Sequence, residues 1–211
     1  MEIVEDVVIV GAGIAGLATK MALKRVMVQA LVLERSQKLR ATGAALTLFP
    51  NAWLALDALG VSHKLNPIYA PSLKNSGQGI RTIHRKTLLE ALAEELPTDS
   101  IRISSKIDAI ENQESGGSAS IVVVNLEDET TIKSKVLIRC DGVHSVVARW
   151  LGLPELVHSG RSGVRVLAIF PQGHGFKQEV QQFVDEGKRA GFIPLNDREL
   201  YWFLVCNDQH S

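Results

Sequence analysis

Residues 6–19 read Asp-Val-Val-Ile-Val-Gly-Ala-Gly-Ile-Ala-Gly-Leu-Ala-Thr, and this stretch decides the fold. The apolar, mostly β-branched run that ends at Val10 predicts a buried strand, and the apolar residues after Gly16 recur at helical spacing. The Gly-x-Gly-x-x-Gly pattern therefore lies at a strand-to-helix turn. Gly11 permits the tight turn, Gly13 lets a pyrophosphate approach the backbone, and Gly16 lets the helix pack closely on the strand.

The segment that follows completes this pattern. Residues 29–33 predict a returning parallel strand, and Glu34 follows at the place where a carboxylate accepts hydrogen bonds from both hydroxyls of a ribose. The unpaired N–H groups at the start of the helix would face the phosphates. Because strand, turn, helix, strand and acid occur in the required order, we interpret residues 1–35 as a dinucleotide site. The alternative is a glycine-rich turn without a ligand.

Composition excludes several other classes of protein. The 211 residues include 23 Lys and Arg and 23 Asp and Glu, so no excess charge attracts nucleic acid or anionic membranes, and we exclude a nucleic-acid partner. Cys140 and Cys206 have no neighbours at metal-ligand spacing, which predicts no metal site and fits a reducing compartment. No apolar run is long enough for a transmembrane segment, and no leader peptide precedes the first strand, so we expect a cytoplasmic protein.

The remaining signals predict an α/β fold. A Rossmann-like domain with an antiparallel β meander is expected over residues 1–152, and residues 153–211 are expected to begin a mainly β domain that is incomplete. The predicted elements are a helix from Asn51, its N-cap, to Gly60; a loop-rich insertion over 61–80; an amphipathic helix over 87–96; β segments over 101–110, 119–126 and 131–138; a short helix over 146–151; and strands over 163–170, 179–184 and 201–205.

Four motifs in order resemble those of one family: Gly11-x-Gly13-x-x-Gly16, Leu33-Glu34-Arg35, Arg85 opening an Arg-x-x-Leu helix, and Asp141-Gly142-x-x-Ser145. The chain is similar to the N-terminal half of class A flavin-dependent monooxygenases, the family of para-hydroxybenzoate hydroxylase, salicylate hydroxylase and zeaxanthin epoxidase, and especially to a plant group of them. The resemblance implies a Rossmann-like FAD-binding domain, FAD as cofactor and NAD(P)H as electron donor. It also implies transfer of one atom of molecular oxygen to a small organic substrate.

The resemblance implies the cofactor-binding residues as well. Glu34 would bind the adenosine ribose, Arg40 and Arg85 the ribityl and phosphate region, Asp141 the ribityl hydroxyls, and the backbone of Ile107 would lie beside the adenine. The alternatives are a surface arginine for Arg40, a chance motif match for Arg85, a core residue for Ile107 and an ordinary Asp-Gly turn for Asp141. The complete set is Gly11, Ala12, Gly13, Ile14, Ala15, Gly16, Glu34, Arg35, Arg40, Arg85, Ile107 and Asp141, and it contains no nominated catalytic residue or metal ligand.

Some positions depart from the family pattern. Arg139 stands where the family often has glycine, and Met27 where a glycine usually follows the first helix. Ala148 stands where many members have the arginine that closes the Asp-Gly motif, and whether Arg149, one position later, replaces it is left open. The family's Gly-Asp-x-x-His segment does not occur in this sequence. Three hypotheses therefore stay open: a FAD-dependent monooxygenase, a truncated and non-catalytic FAD-binding homologue, and a nicotinamide-dependent dehydrogenase. The substrate and the oligomeric state are left open as well.

Overall fold

The computed structural model describes residues 1–40, 43, 45–69, 80–114 and 120–208. The chain divides into two compact units, the first formed by residues 1–40 and 92–156 and the second by residues 41–91 and 157–211. The sequence did not predict that a segment before residue 92 would group with the C-terminal residues. The predicted domain boundary at residue 152 stays a prediction. Residues 70–79 of the predicted insertion and the predicted turn over 115–118 lie outside the described residues.

The described residues form twelve strands, five α-helices and one 3-10 helix. The strands are β1 (Glu2–Val10), β2 (Leu31–Leu33), β3 (Ala45–Leu48), β4 (Arg81–His84), β5 (Ile101–Arg102), β6 (Ile107–Glu114), β7 (Ser120–Leu126), β8 (Thr131–Arg139), β9 (Arg161–Ile169), β10 (Gln181–Asp185), β11 (Lys188–Pro194) and β12 (Glu199–Asn207). The helices are α1 (Ile14–Arg25), α2 (Pro50–Leu59), α3 (Ser62–Leu65), α4 (Arg85–Ala93) and α5 (Val146–Trp150), and the 3-10 helix is Thr98–Ser100.

The first unit is built on a six-stranded sheet with the order β5-β2-β1-β8-β7-β6. The four strands β5, β2, β1 and β8 are parallel, whereas β7 and β6 continue the sheet antiparallel. Residues 7–10 of β1 are buried throughout, as expected for a central parallel strand covered on both faces. The chain leaves β1 towards β2 on one side, and β8 returns on the other side. The ends of β1 and β8 therefore form a topological switch point, where open α/β sheets bind ligands.

The predicted meander is confirmed for β6, β7 and β8, but the single strand predicted over 101–110 is wrong. That segment splits into β5, which pairs with β2 at one edge of the sheet, and β6, which lies at the opposite edge. The break contains Ser104, which has a φ of +54° and donates its backbone N–H to the Ser36 carbonyl. The next residue, Ser105, donates its N–H to the Glu34 carbonyl. Long-range hydrogen bonds thus interrupt a segment whose local composition favours a strand.

Two helix ends differ in detail from the sequence prediction. The prediction of Asn51 as an N-cap is wrong, because the helix begins at Pro50 and Phe49 is its N-cap. Proline suits this first position since its missing N–H would have no helical acceptor. The predicted end at Gly60 is confirmed, with a φ of +79°. The amphipathic helix predicted over 87–96 spans Arg85–Ala93, with its predicted apolar side buried at Leu88, Leu89 and Leu92.

The second unit contains a two-stranded sheet of β3 and β4 and an antiparallel sheet with the order β10-β11-β12-β9. Three of its strands match the predicted segments approximately, but β11 was not predicted. Gly191 and Pro194 in β11 look like turn residues in the sequence. Gly191 is needed in the strand because a Cβ there would lie 2.6 Å from the Gln181 carbonyl oxygen and 2.8 Å from the Phe203 ring. None of the described helices is both long enough and apolar enough to cross a bilayer.

Helix α1 ends in a left-handed residue that is not glycine. Met27 has a φ of +61°, its N–H donates to the Lys24 carbonyl, and the N–H of Val28 donates to the Leu23 carbonyl. These two hydrogen bonds form a Schellman motif, in which glycine is the usual residue at the left-handed position. The motif joins α1 to β2 despite the steric cost of the Met27 side chain, which projects into solvent.

We predict that Met27→Gly raises the free energy of unfolding by about 1 kcal/mol, because glycine removes the left-handed steric cost at this position. Urea denaturation of both proteins measures the change. Met27→Ala is the control: it removes the same side chain but keeps a Cβ, so we expect its stability to stay near that of the parent. Equal stability of the glycine and alanine variants would contradict the explanation.

Lys20 is a buried lysine on the inner side of α1. Its side chain is only 3% exposed, and its Nζ donates to the Ala30 carbonyl oxygen at 2.6 Å, just before β2. Burial lowers the pKa of Lys20 below its ordinary value of 10.5, although the carboxylates of Glu5 and Asp99 act in the opposite direction. The unfolded chain therefore binds more protons than the folded chain at pH values just below 10.5, so the Lys20 contribution to stability rises with pH there.

We predict that the free energy of unfolding of the parent protein, relative to Lys20→Met, increases as pH rises towards 10.5. The methionine variant lacks the titrating amine, so the difference between the two proteins isolates its effect. Denaturation at a series of pH values from neutral to alkaline measures this difference. A difference for Lys20→Met that is constant with pH would contradict the prediction.

Candidate functional site

The ends of β1 and β8 meet through backbone contact at Gly11. This residue has a φ of +102°, and a Cβ on it would lie 2.5 Å from the carbonyl oxygen of Cys140 and 2.9 Å from the Cα of Asp141. Its N–H donates to the Leu33 carbonyl, while the N–H of Cys140 donates to the Val10 carbonyl. The glycine-rich turn and the Asp141 turn are therefore direct neighbours at the switch point of the sheet.

The other two glycines have opposite surroundings. A Cβ on Gly16 would lie 1.9 Å from the Gly11 carbonyl oxygen, so α1 packs against the turn with no room for a side chain. A Cβ on Gly13 would meet no atom within 4 Å. Gly13 is also the N-cap of α1, no side chain caps this helix, and its first turn contains no acidic residue. The turn therefore leaves open space beside helical N–H groups that favour an anion.

Glu34 is buried at the end of β2 and binds the glycine-rich turn itself. Its Oε2 accepts the N–H of Ala12 at 2.9 Å, and its Oε1 accepts the N–H of Ser36 at 2.9 Å. The side chain thus fixes the turn to the segment after β2. A carboxylate has about four acceptor positions, so both oxygens can accept a further hydrogen bond from a ligand hydroxyl.

Asp141 holds the start of α5. Its Oδ2 accepts the N–H of Val146 at 2.8 Å and that of Val147 at 3.4 Å, and Ser145, the N-cap, accepts the N–H of Ala148 at 2.8 Å. The second carboxylate oxygen, Oδ1, is buried and has no hydrogen-bond partner among the described residues. An unfilled buried acceptor is unfavourable unless a donor reaches it. The Asp-Gly turn is thus a structural cap that also offers an acceptor.

Arg139 lies against this same turn. Its Nε donates to Ser145 Oγ at 2.9 Å, one Nη donates to the Gly142 carbonyl at 3.4 Å, and Nε is 3.9 Å from Asp141 Oδ1. The arginine therefore connects both ends of the Asp141–Ser145 turn and brings a positive charge beside the carboxylate. The sequence showed an unusual residue here but not this set of contacts, because a strand-end arginine has no pattern that reveals its hydrogen bonds.

The remaining predicted residues have more varied positions. Ile14 and Ala15 form the first turn of α1, and Arg35 and Arg40 are exposed in the segment after β2. Ile107 is half-buried, and its side chain packs against the hydrophobic cluster of the first unit that contains Val8, Leu33 and Val124. Arg85 belongs to the second unit, where it begins α4. Its side chain lies close to Gly43, since a Cβ added to Gly43 would be 3.0 Å from the Arg85 Cδ.

The polar groups of the site are suited to binding a ligand. Burial raises the pKa of the Cys140 thiol above its ordinary value of 9.0, so this cysteine is protonated and a poor nucleophile near neutral pH. In the described part of the chain, no group of three or more His, Cys, Asp or Glu side chains is arranged to hold a metal ion. Helical N–H groups beside open space and two carboxylates with acceptors to spare instead fit a ligand that carries both phosphates and hydroxyls.

Comparison with known sequences identifies relatives of the chain. The family profile described as "Lycopene cyclase protein" matches residues 6–166. Monooxygenase 2 of Arabidopsis thaliana is 42% identical over 95% of this chain and 53% of the relative. The FAD-dependent urate hydroxylase of Mycolicibacterium vanbaalenii is 26% identical over 94% of this chain and 55% of the relative. The chain spans about half the length of the curated relatives it matches.

Solved structures share the fold. HpxO of Klebsiella pneumoniae, in a complex with FAD and uric acid, superposes with a TM-score of 0.81 at 21% identity over 98% of this chain and 57% of that chain. The Pseudomonas aeruginosa protein pqsL, described as a probable FAD-dependent monooxygenase, superposes with a TM-score of 0.77 at 18% identity over 97% of this chain and 61% of that chain. The predicted α/β fold class and the resemblance to class A flavin-dependent monooxygenases are confirmed. Because the family profile covers most of the chain, the protein belongs to the lycopene cyclase protein family, and its sequence relatives are monooxygenases and FAD-dependent hydroxylases.

Proposed function

We propose that this chain binds FAD at the switch point between β1 and β8. The observation that carries the proposal is the difference in space around the three glycines. Backbone atoms leave no room for a side chain at Gly11 and Gly16, whereas Gly13 borders open space at a helix N-terminus that no side chain caps. A turn selected only for packing would need no glycine at position 13. The pattern is the one expected where a pyrophosphate lies against the backbone.

The proposed contacts follow the chemistry of each group. The backbone from Gly11 to Gly16, through Ala12, Gly13, Ile14 and Ala15, would bind the pyrophosphate, and Glu34 would accept hydrogen bonds from the adenosine ribose. Asp141 would accept from ribityl hydroxyls through Oδ1, the oxygen that has no hydrogen-bond partner among the described residues. Arg35, Arg40, Arg85 and the backbone of Ile107 complete the proposal, and these four are supported by the family resemblance alone.

Bound FAD would supply the oxidation–reduction chemistry, with NAD(P)H as electron donor and molecular oxygen as the source of the transferred atom. The residues of this chain would hold and orient the adenosine and pyrophosphate end of the cofactor. One relative is named for hydroxylating urate and another for making a quinolone, which supports a small organic substrate. A cytoplasmic location belongs to the same proposal, since both cysteines, Cys140 and Cys206, are free thiols.

FAD binding is tested by titrating the purified chain with FAD and following the flavin absorbance and fluorescence. We predict saturable binding by the parent protein. Gly13→Val should bind FAD at least about tenfold more weakly, a loss of about 1.4 kcal/mol of binding free energy, because the new side chain fills the space proposed for the pyrophosphate. Glu34→Gln should weaken binding by about 10- to 100-fold through loss of a charged acceptor. Gly163→Val, a glycine of β9 that has ordinary contacts, is the control and should bind FAD normally.

The outcomes separate the three hypotheses. No FAD binding by folded parent protein would contradict the proposal, and tight NAD binding without FAD binding would identify a dehydrogenase-type site instead. NAD(P)H oxidation that depends on FAD would establish the electron donor. FAD binding without any NAD(P)H oxidation would identify a non-catalytic FAD-binding homologue, in which the site of the first unit is retained without turnover.

Arg139 provides a second test, specific to the Asp141 turn. We predict that Arg139→Met weakens FAD binding by about tenfold, because the turn loses its hydrogen bonds to Ser145 and Gly142, each contributing about 1 kcal/mol. FAD titration measures the effect, and circular dichroism checks folding. Arg165→Met, which removes an exposed arginine from β9, is the control and should bind as the parent does. Tighter FAD binding by Arg139→Met would show that the arginine obstructs the cofactor rather than supporting the turn.

A further inference from the structure

Strand β10 forms an open edge of the four-stranded sheet in the second unit. All five of its residues, Gln181–Asp185, are exposed, and within the described part of the chain it pairs only with β11. Phe183 is 60% exposed and Val184 is 69% exposed, although both are large apolar residues. The outward N–H and C=O groups of such a strand are a template for pairing with another strand.

This edge has few of the features by which proteins usually block pairing, since Asp185 is its one charged residue. Strand β10 contains no lysine, arginine or proline, and its register with β11 runs through five consecutive pairs without a bulge. The opposite edge, β9, differs because Arg161 and Arg165 place two positive charges along it, with Gly163 between them. Charged residues on an edge strand oppose pairing with a second copy. The two edges of the same sheet are therefore unequal, and only β10 is suited to pairing.

An apolar row leads across one face of the sheet to this edge. Phe183 is opposite Ala190, Ala190 is opposite Leu204, and Leu204 is opposite Val164, so the four side chains share a face. Beside this row the Phe192 ring lies 6.4 Å from the Phe183 ring and 5.0 Å from the Phe176 ring. The aromatic surface continues to Phe183 at the edge and ends there in solvent. A second strand carrying another aromatic residue would extend it.

We propose that β10 pairs antiparallel with β10 of a second copy of this chain, with a twofold axis at Phe183. In this register Phe183 is opposite Phe183 of the second copy, Gln182 is opposite Val184, and Gln181 is opposite Asp185. The aromatic side chains form a cross-strand pair, and the Gln181 amide donates to the Asp185 carboxylate of the other copy. The strand carries one charge, and this register keeps the two copies of Asp185 apart.

Pairing of this kind closes on itself. A twofold contact uses the same edge of both copies, and the remaining outer edges of the joined sheet are the two arginine-bearing β9 strands, so assembly stops at a dimer. The contact consists of two five-residue strands and their aromatic neighbours, which is small compared with a stable obligate interface. The dimer is therefore a concentration-dependent one.

Sedimentation equilibrium of the whole 23.0 kDa chain tests the proposal at concentrations from about 1 μM to about 1 mM, the range suited to a small interface. We expect the mean mass to rise towards twice the chain mass for the parent protein. Phe183→Lys should stay monomeric throughout, because it places two positive charges opposite each other. Val164→Lys, at the other end of the same apolar row, is the matched control and should dimerise like the parent.

A cysteine variant tests the register. Phe183→Cys places two thiols directly opposite each other on the twofold axis, so oxidation should yield a covalent dimer, whereas Val164→Cys should give only the background from Cys140 and Cys206 seen in the parent. A parent chain that remains monomeric up to about 1 mM would overturn the proposal. Equal loss of dimer in Phe183→Lys and Val164→Lys, or equal cross-linking of the two cysteine variants, would overturn it as well, by showing that a different surface is used.

Discussion

The structure of the first unit depends on one close backbone approach, where Gly11 meets Gly16 on one side and Cys140 with Asp141 on the other. Two segments that are distant in sequence, residues 11–16 and 140–141, converge there, and none of the contacts leaves room for a Cβ at Gly11 or Gly16. Because the approach is made by main-chain atoms, the strand, the helix and the Asp141 turn have fixed relative positions. Between Gly11 and Gly16, Gly13 borders open space, so the same turn carries both the tight contacts and the candidate binding surface. Fold and candidate site therefore share the same constraint.

The polar side chains of the candidate site already have structural partners. Glu34 binds the N–H of Ala12, and Asp141 binds the N–H groups at the start of α5, so the carboxylates that would face a ligand also hold the turns that carry them. Arg139 adds a further connection across the Asp141 turn. A site whose acceptors are held in this way needs little reorganisation when a ligand binds, which favours affinity because less ordering is required. It also means that a substitution at either carboxylate changes the shape of the site as well as its hydrogen bonding.

The sequence was sufficient where local pattern and geometry coincide. The Gly11–Gly16 turn, its flanking strands and helix, and Glu34 were placed correctly because each rule involves neighbours in the chain. It was insufficient where distant segments decide the outcome. The split between β5 and β6 results from hydrogen bonds to Ser36 and Glu34, and β11 was missed because Gly191 resembles a turn residue yet makes room for the Phe203 ring. The contact of Gly11 with Cys140 and the hydrogen bonds of Arg139 also join elements whose proximity no local rule gives.

The parallel pairing of β1 with β8 has a consequence for how the chain folds. Ile3 is opposite Ile132 and Val10 is opposite Arg139. One of the two strands that pair with the central strand β1 therefore lies near the other end of the first unit's sequence. Contacts of such large sequence separation slow folding because a long loop must be closed before they form. During synthesis at about 5–20 residues per second, the apolar β1 segment leaves the ribosome well before β8 does. Among the strands of the first unit, β1 therefore waits longest during synthesis for its full set of strand partners.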